Sequence, residues 1–322
     1  MGWFRTLALA ATASLAAAGA SAQDAWPSRP IRMIVGFAAG GSTDVTARLI
    51  AQALSDRLGQ QVVVENRPGA GGNIGADSVA KAEPDGYTLL LTTSTTHATN
   101  PSLYRSLPFD VKADFAPITL TAFIPNVLTV NPSVPATSIA ELVAYAKANP
   151  DKLSFGSAGA GSSQHLSGEL FKSLAGIRMV HVAYRGGAPA LTDLLSGQIQ
   201  VLFAPLVEVL QQIESGSVRA LGITTAKRSP LLPSVAPVGE TLPGYEVALW
   251  NGLLAPARTP PAIIARLNRE TVAILRSDDM KKKLAAQGSE PVGNTPDEFR
   301  DFIAAELVKW GRLVEISGAK AQ

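Results

Sequence analysis

Apolar positions follow two alternating patterns along this chain. Short apolar runs at residues 31–35, 62–65 and 87–92 have the length and composition of strands, and the first two lead into stretches, 43–58 and 74–81, with helical spacing. The third run opens into a stretch read as a loop. The helix at 43–58 is well signalled. Val45, Leu49 and Ala53 share a face with Ile50, Leu54 and Leu58 beside them, Ser42 or Thr43 supplies a cap, and Gly59 marks the stop. From residue 138 the rhythm resumes, with helices at 138–148, 163–174, 188–195 and 206–214 between strands at 153–156, 179–184, 199–204 and 220–224. Alternation of this kind predicts α/β architecture, with parallel sheets and helices on both faces.

Two stretches break the rhythm. Residues 117–130, PITLTAFIPNVLTV, and 244–257, GYEVALWNGLLAPA, are extended and apolar, and the second precedes C-terminal helices that begin near Pro261 and Pro296. A chain of 322 residues exceeds what one core usually supports. The two extended stretches are therefore expected to cross between two lobes. The division expected is 23–124 with 249–322 for the first lobe and 125–248 for the second, inserted lobe.

Residues 1–22 carry one charge (Arg5), an apolar core and an Ala20-Ser21-Ala22 end, the pattern of a secretory signal peptide. The chain has 28 basic and 26 acidic residues, and loss of the leader removes only Arg5. No basic stripe points to nucleic acid. Cysteine is absent, which excludes disulfides, thiol catalysis and a lipid anchor on cysteine. The expected product is exported, soluble and not lipid-anchored, and is periplasmic in a Gram-negative cell.

The candidate chemistry sits in two loops built alike. IRMIVGFAAGGSTDVTARLIAQAL, from Ile31, and KLSFGSAGAGSSQHLSGELFKSLAG, from Lys152, each run from short strand through a Gly/Ala/Ser loop to an amphipathic helix. A phosphate loop needs a Lys-Ser/Thr pair after its last glycine, but Ser42-Thr43 follows Gly41, and the glycine spacing of a dinucleotide fingerprint is also missing. A nucleophile elbow matches Gly40-Gly41-Ser42-Thr43 but meets Asp44 in place of the final glycine. The three histidines, His97, His165 and His181, lie far apart without metal-ligand spacing, so neither a metal nor a cofactor is expected. Of these, His165 suits a polar position in a cleft and His181, between Val180 and Val182, a structural one. Carboxylate capture asks for less. The first turn of a helix has amides without partners, and small residues let an anion reach them. The loops 37–43 and 157–164 both fit, although plain turns with capping serines have the same composition. Asp44 would repel an anion and is expected to turn away or cap neighbouring amides.

Taken together, WPSRPIRMIVGFAAGGSTDVTAR, VVVENRPGAGGNIGADSVAKAEPDGYTLL, HATNPSLY, LSFGSAGAGSSQHLSGELF, AYRGGAPALTDLLSGQIQ and WNGLLAPARTP resemble the successive signatures of Bug-type receptors, the extracytoplasmic solute-binding proteins of the tripartite tricarboxylate transporter family. The resemblance implies a two-lobed periplasmic-binding-protein fold (type II-like), each lobe a sheet flanked by helices, joined by two crossing strands. It implies a monomeric, non-enzymatic receptor that captures a small organic mono- or dicarboxylate for transporter membrane subunits. The implied ligand contacts are Phe37, Ala39, Gly40, Gly41, Ser42 and Thr43, with Thr93, Ser94 and His97 on the first-lobe wall. From the second lobe come Ser157, Gly161, Ser162, Ser163, Gln164, His165, Tyr184 and Asp193, the last equally suited to pairing within its helix. Arg185 reads as a solvated strand end or as a clamp on a second carboxylate, and ENRPGAGGNIGA, from Glu65, as a structural loop beside the mouth. A ligand-presenting sensor for a signalling partner and an exported serine hydrolase using Ser42 are the other readings.

Overall fold

In the computed structural model, which describes residues 26–184 and 186–319, the alternation becomes two sheets that share one long strand. The leader read at 1–22 and Arg185 lie outside the described residues. The first part of the chain forms β1 (Ile31–Val35), α1 (Ser42–Leu58), β2 (Val62–Asn66), a 3-10 turn (Ala70–Gly72), α2 (Asn73–Ala80) and β3 (Thr88–Thr93). After β3 comes a π-helical turn (Thr95–Thr99) that runs into the short α3 (Asn100–Leu103), where the sequence pattern predicts a loop. Long-range partners decide that difference: Thr96 Oγ1 and Asn100 Nδ2 both donate to the Gly71 carbonyl, and Asn100 Nδ2 also donates to Asn73.

The long strand β4 (Phe115–Val130) leads into α4 (Ile139–Ala148), β5 (Ser154–Ser157), α5 (Ser163–Ala175), β6 (Val180–Ala183), α6 (Gly187–Ser196), β7 (Val201–Pro205), α7 (Leu206–Glu214), β8 (Arg219–Ile223) and the single turn α8 (Val238–Thr241). The chain returns through β9 (Ala248–Pro256), α9 (Pro261–Arg276), α10 (Asp278–Ala285), β10 (Glu290–Pro291) and α11 (Pro296–Ser317). The first sheet has the order β2-β1-β3-β9-β4, with β1, β2 and β3 parallel, β9 and β4 antiparallel, and β10 on the far side of β4. In the second sheet β4 runs antiparallel to β7 and β8, while β7, β5 and β6 are mutually parallel.

β4 changes sheets at a proline. Its last partner on β9 is Ala248, opposite Pro125, and its first on β7 is Pro205, opposite Asn126. A residue without an amide N–H is well placed where one ladder ends and another begins. The second crossing joins the same point, because the Val247 amide donates to the Thr224 carbonyl just before β9 starts. One core cluster spans both lobes, with Trp250, Phe299 and Trp310 on one side and Phe155, Phe171 and Phe203 on the other. The indole N–H groups of Trp250 and Trp310 both donate to the buried Glu306 carboxylate, which ties α11 to β9. α11 begins with a capping box between Thr295 and Glu298 and packs against α5.

Candidate functional site

In parallel strands the carboxyl ends lie on one edge, so β1, β2 and β3 deliver their following loops to one edge of the first lobe, and β5, β6 and β7 to one edge of the second. Open α/β sheets bind ligands at this edge. The two edges face each other. A Cβ on Gly161, after β5, would overlap the side chain of Leu103, after β3.

In the first lobe the chain leaves β1 through Gly36, where a Cβ would stand 2.7 Å from Gly72 Cα; the 3-10 turn is the wall that supports the loop. Phe37 is partly buried and also approaches Gly72. Ala38, Ala39, Gly40 and Gly41 are exposed, and Gly40 has φ +85°, which suits glycine. Neither Ser42 nor Thr43 caps the helix: the N-cap is Gly41, without a side-chain acceptor. Asp44 reaches back instead. Its Oδ2 accepts from the Gly40 amide (2.9 Å) and Arg48 Nε (2.9 Å), and its Oδ1 from Asn66 Nδ2 (2.8 Å). Burial opposes ionisation of Asp44, but donors from Arg48, Gly40 and Asn66 hold its carboxyl below the usual range. Its charge is thereby engaged on its own loop and helix. Among the described residues the amides of Gly41, Ser42 and Thr43 have no acceptor. They lie at the positive end of α1, beside Ala38, Ala39, Gly40 and Gly41, which have little or no side chain.

The second-lobe loop has the same build and a different hydrogen-bond state. Ser157 Oγ accepts from the Gly159 amide (3.1 Å) and lies 2.7 Å from His181 Nε2. Ser162 caps α5 by accepting from the His165 amide and donates to the Gly159 carbonyl (2.7 Å). The Gly161 amide donates to His165 Nδ1 (3.1 Å), which requires that imidazole to be neutral with its proton on Nε2. His165 stacks on His181 with centroids 3.9 Å apart, and His181 stacks on Phe155. Burial, followed by the nearby His181 and Lys172, pushes His165 down to about 3; burial and Lys172 push His181 down to about 4. Both are neutral supports of the loop. Ser163 and Gln164 are buried in the first turn of α5, and Gln164 Oε1 has no partner among the described residues.

The remaining predicted residues divide. Thr93 and Ser94 sit at the carboxyl end of β3, both buried; Thr93 Oγ1 accepts from the Thr96 amide and Ser94 Oγ has no partner among the described residues. His97 is fully buried against Phe109 and Phe115, with Nδ1 2.6 Å from Thr92 Oγ1, so it stands behind the wall rather than on an open face. Burial pushes it down to about 3. Tyr184 donates to Asp193 Oδ2 at 2.6 Å, a pair that fixes the ring over α6; burial first and then this carboxylate push the phenol up to about 12. Glu208, in the first turn of α7, escaped the sequence reading because no glycine loop precedes it, yet it stands at the same strand-end edge. A short strand followed directly by a carboxylate in the next helix's first turn was the available signal. Among the described residues no group of three His, Asp or Glu is placed to hold a metal, and no helix is long and apolar enough to cross a membrane.

Comparison with known proteins points in one direction. The family profile described as "Tripartite tricarboxylate transporter family receptor" matches residues 46–319. Protein BugT of Bordetella pertussis is 42% identical over 314 residues, covering 96% of this chain and 95% of BugT. The structure of R. palustris Rpa4515 with adipate superposes with a TM-score of 0.86 at 40% identity, over 92% of this chain and 99% of that one. MatC from Rhodopseudomonas palustris with bound malate gives a TM-score of 0.80 at 32% identity, over 90% and 100%.

Proposed function

Because the chain belongs to the tripartite tricarboxylate transporter receptor family, we propose that it captures a small organic carboxylate between its lobes and delivers it to membrane subunits of such a transporter. It is a solute-binding receptor of this family and not an enzyme. The observation that carries the reading is the uncapped start of α1: the amides of Gly41, Ser42 and Thr43 lie together at a helix N-terminus in a loop of small residues. Each hydrogen bond to a charged group contributes about 1.5–3 kcal/mol, and the helix dipole adds roughly 0.3–1 kcal/mol, so a few such bonds offset the water a carboxylate gives up.

In this reading Phe37, Ala39, Gly40, Gly41, Ser42 and Thr43 receive the carboxylate. Thr93 and Ser94 line the first-lobe wall with His97 behind them, and Ser157, Gly161, Ser162, Ser163, Gln164, His165, Tyr184 and Asp193 close from the second lobe. The lobes are 23–124 with 249–322, and 125–248. Export by the leader at 1–22 places the mature monomer in the periplasm. Adipate on Rpa4515 and malate on MatC support a carboxylate as the ligand class. The test is calorimetry of refolded, ligand-free protein against a broad panel of mono- and dicarboxylates, with mass spectrometry of whatever leaves the freshly purified protein. Micromolar or tighter binding of an acid is expected; failure of folded protein to bind any acid overturns the reading.

A further inference from the structure

Glu208 stands at the strand-end edge of the second lobe, and carboxylate capture accounts for neither its role nor its partner. It lies in the first turn of α7, part-buried, and among the described residues nothing donates a hydrogen bond to its carboxyl group. Two neighbours define its setting. A Cβ on Gly187, the first residue of α6, would overlap the Glu208 carboxyl oxygen, so glycine is what allows that carboxyl to sit against the α6 N-terminus. The same Cβ would stand 3.1 Å from Gln164 Nε2, and Gln164 is buried at 3% exposure with Oε1 unpartnered among the described residues. The N-cap of α6 is Gly186, which offers no side-chain cap.

In the first lobe the free helix N-terminus is open to an anion, whereas in the second the start of α6 already carries the protein's own carboxyl group. A second ligand carboxylate placed there would meet Glu208 at short range. A ligand hydroxyl or ammonium would instead supply the donor that, among the described residues, both Glu208 and Gln164 Oε1 lack. Burial pushes the Glu208 carboxyl up to about 7.

We propose that Glu208, with Gln164, selects the far end of the ligand: the receptor takes an acid that carries a hydrogen-bond donor opposite its carboxylate and discriminates against a second carboxylate. This rests on the carboxylate-capture reading above. The test measures dissociation constants for matched acids of four to six carbons, each as the α,ω-dicarboxylate, the ω-hydroxy acid and the ω-amino acid, on ligand-free wild type and Glu208→Gln at pH 8. In wild type the hydroxy or amino acid is expected to bind at least about tenfold more tightly than the dicarboxylate of equal length, as for one hydrogen bond to a charged group. The two donor arms tell ammonium from hydroxyl recognition. Glu208→Gln, with an unchanged melting profile, removes the preference for the amino acid and strengthens dicarboxylate binding. Should Glu208→Gln misfold, Glu208→Asp serves, since its retracted carboxylate weakens the amino or hydroxy acid without restoring the dicarboxylate. Acid binding with the same dicarboxylate preference in wild type and variant overturns this proposal alone. Absence of any acid binding overturns it together with the capture reading.

Discussion

The two strand–turn–helix junctions, at residues 36–44 and 157–165, look like copies of one device, and their helix starts are capped differently. At the first, Gly41 is a bare N-cap, Asp44 takes the Gly40 amide, and the amides of Gly41, Ser42 and Thr43 have no acceptor among the described residues. At the second, Ser157 takes the Gly159 amide, His165 Nδ1 takes that of Gly161, and Ser162 caps the helix. Similar composition thus yields one loop whose helix start has a bare glycine N-cap and one whose helix start is capped and whose glycine amides are taken up by its own side chains. The first suits capture of an anion; the second suits a shaped wall that closes on what has been captured.

The most severe way to break this comparison is to block each loop in turn. Gly41→Val should reduce affinity for a bound acid by about 100-fold, the loss of one to two hydrogen bonds to a charged group, without unfolding the protein. Ala160→Val, on the exposed rim of the second loop, should cost less than about tenfold in the same calorimetric titration. Equal losses would show that the two loops share the work.

Next in size is the contact between the edges. Gly161 has φ +76° and no room for a Cβ beside Leu103, so Gly161→Ala should lower stability by about 1–3 kcal/mol in denaturant unfolding. In a Leu103→Ala background the same substitution should cost less than in wild type. An equal cost in both backgrounds would assign it all to backbone strain and leave the interlobe contact without weight.

Acid should act on the second loop and on the core before the first loop. His165 and His97 are held near 3 and His181 near 4, below the unfolded value of 6.5. For a histidine with a lowered folded pKa, the unfolded chain binds more protons at mildly acid pH. The stability it contributes is therefore fully present above about 6.5 and is lost as pH falls towards the folded values. Between pH 6.5 and 5 this amounts to up to about 2 kcal/mol per histidine. Melting temperatures at pH 7 and 5 check it, and His181→Gln should flatten the dependence by one share; a dependence unchanged by that substitution would contradict the assignment.

The smallest effect separates support from contact. Ser157→Ala frees the Gly159 amide and leaves His181 Nε2 without its partner, which should cost about 1 kcal/mol of stability while acid affinity changes by less than about threefold. A large loss of affinity with stability intact would make Ser157 a ligand contact of the first importance.

Much of the architecture was legible because it depends on local pattern. α1 runs from Ser42 to Leu58 and stops at Gly59 in the left-handed conformation, as its spacing and glycine indicate. α7 spans Leu206–Glu214 as its amphipathic run predicts. The polar and β-branched stretch after β3 was not legible. It winds into a π-turn and α3 because Thr96 and Asn100 find the Gly71 carbonyl, a partner no local pattern reveals. α10 was missed because a short, strongly polar helix capped by Ser277 has little apolar periodicity to announce it. Among site residues, the loop glycines and serines could be named from their small size, whereas the burial of His97 between aromatic rings and the pairing of Tyr184 with Asp193 depend on contacts across elements.

By itself the sequence determined the alternation of strands and helices, the two small-residue junctions and the family signatures, because these follow from side-chain periodicity, turn chemistry and residue identity. Which amides stay free was decided only in the folded molecule. Asp44 and His165 each stand one helical turn beyond their loops, yet one settles on the amide of exposed Gly40 and the other on that of buried Gly161. Asn66 and Arg48 hold Asp44 in place, while His181 stacks on His165 from the neighbouring strand. Glycine and serine permit either state; the surrounding hydrogen-bond partners, brought together by the two sheets, choose between them.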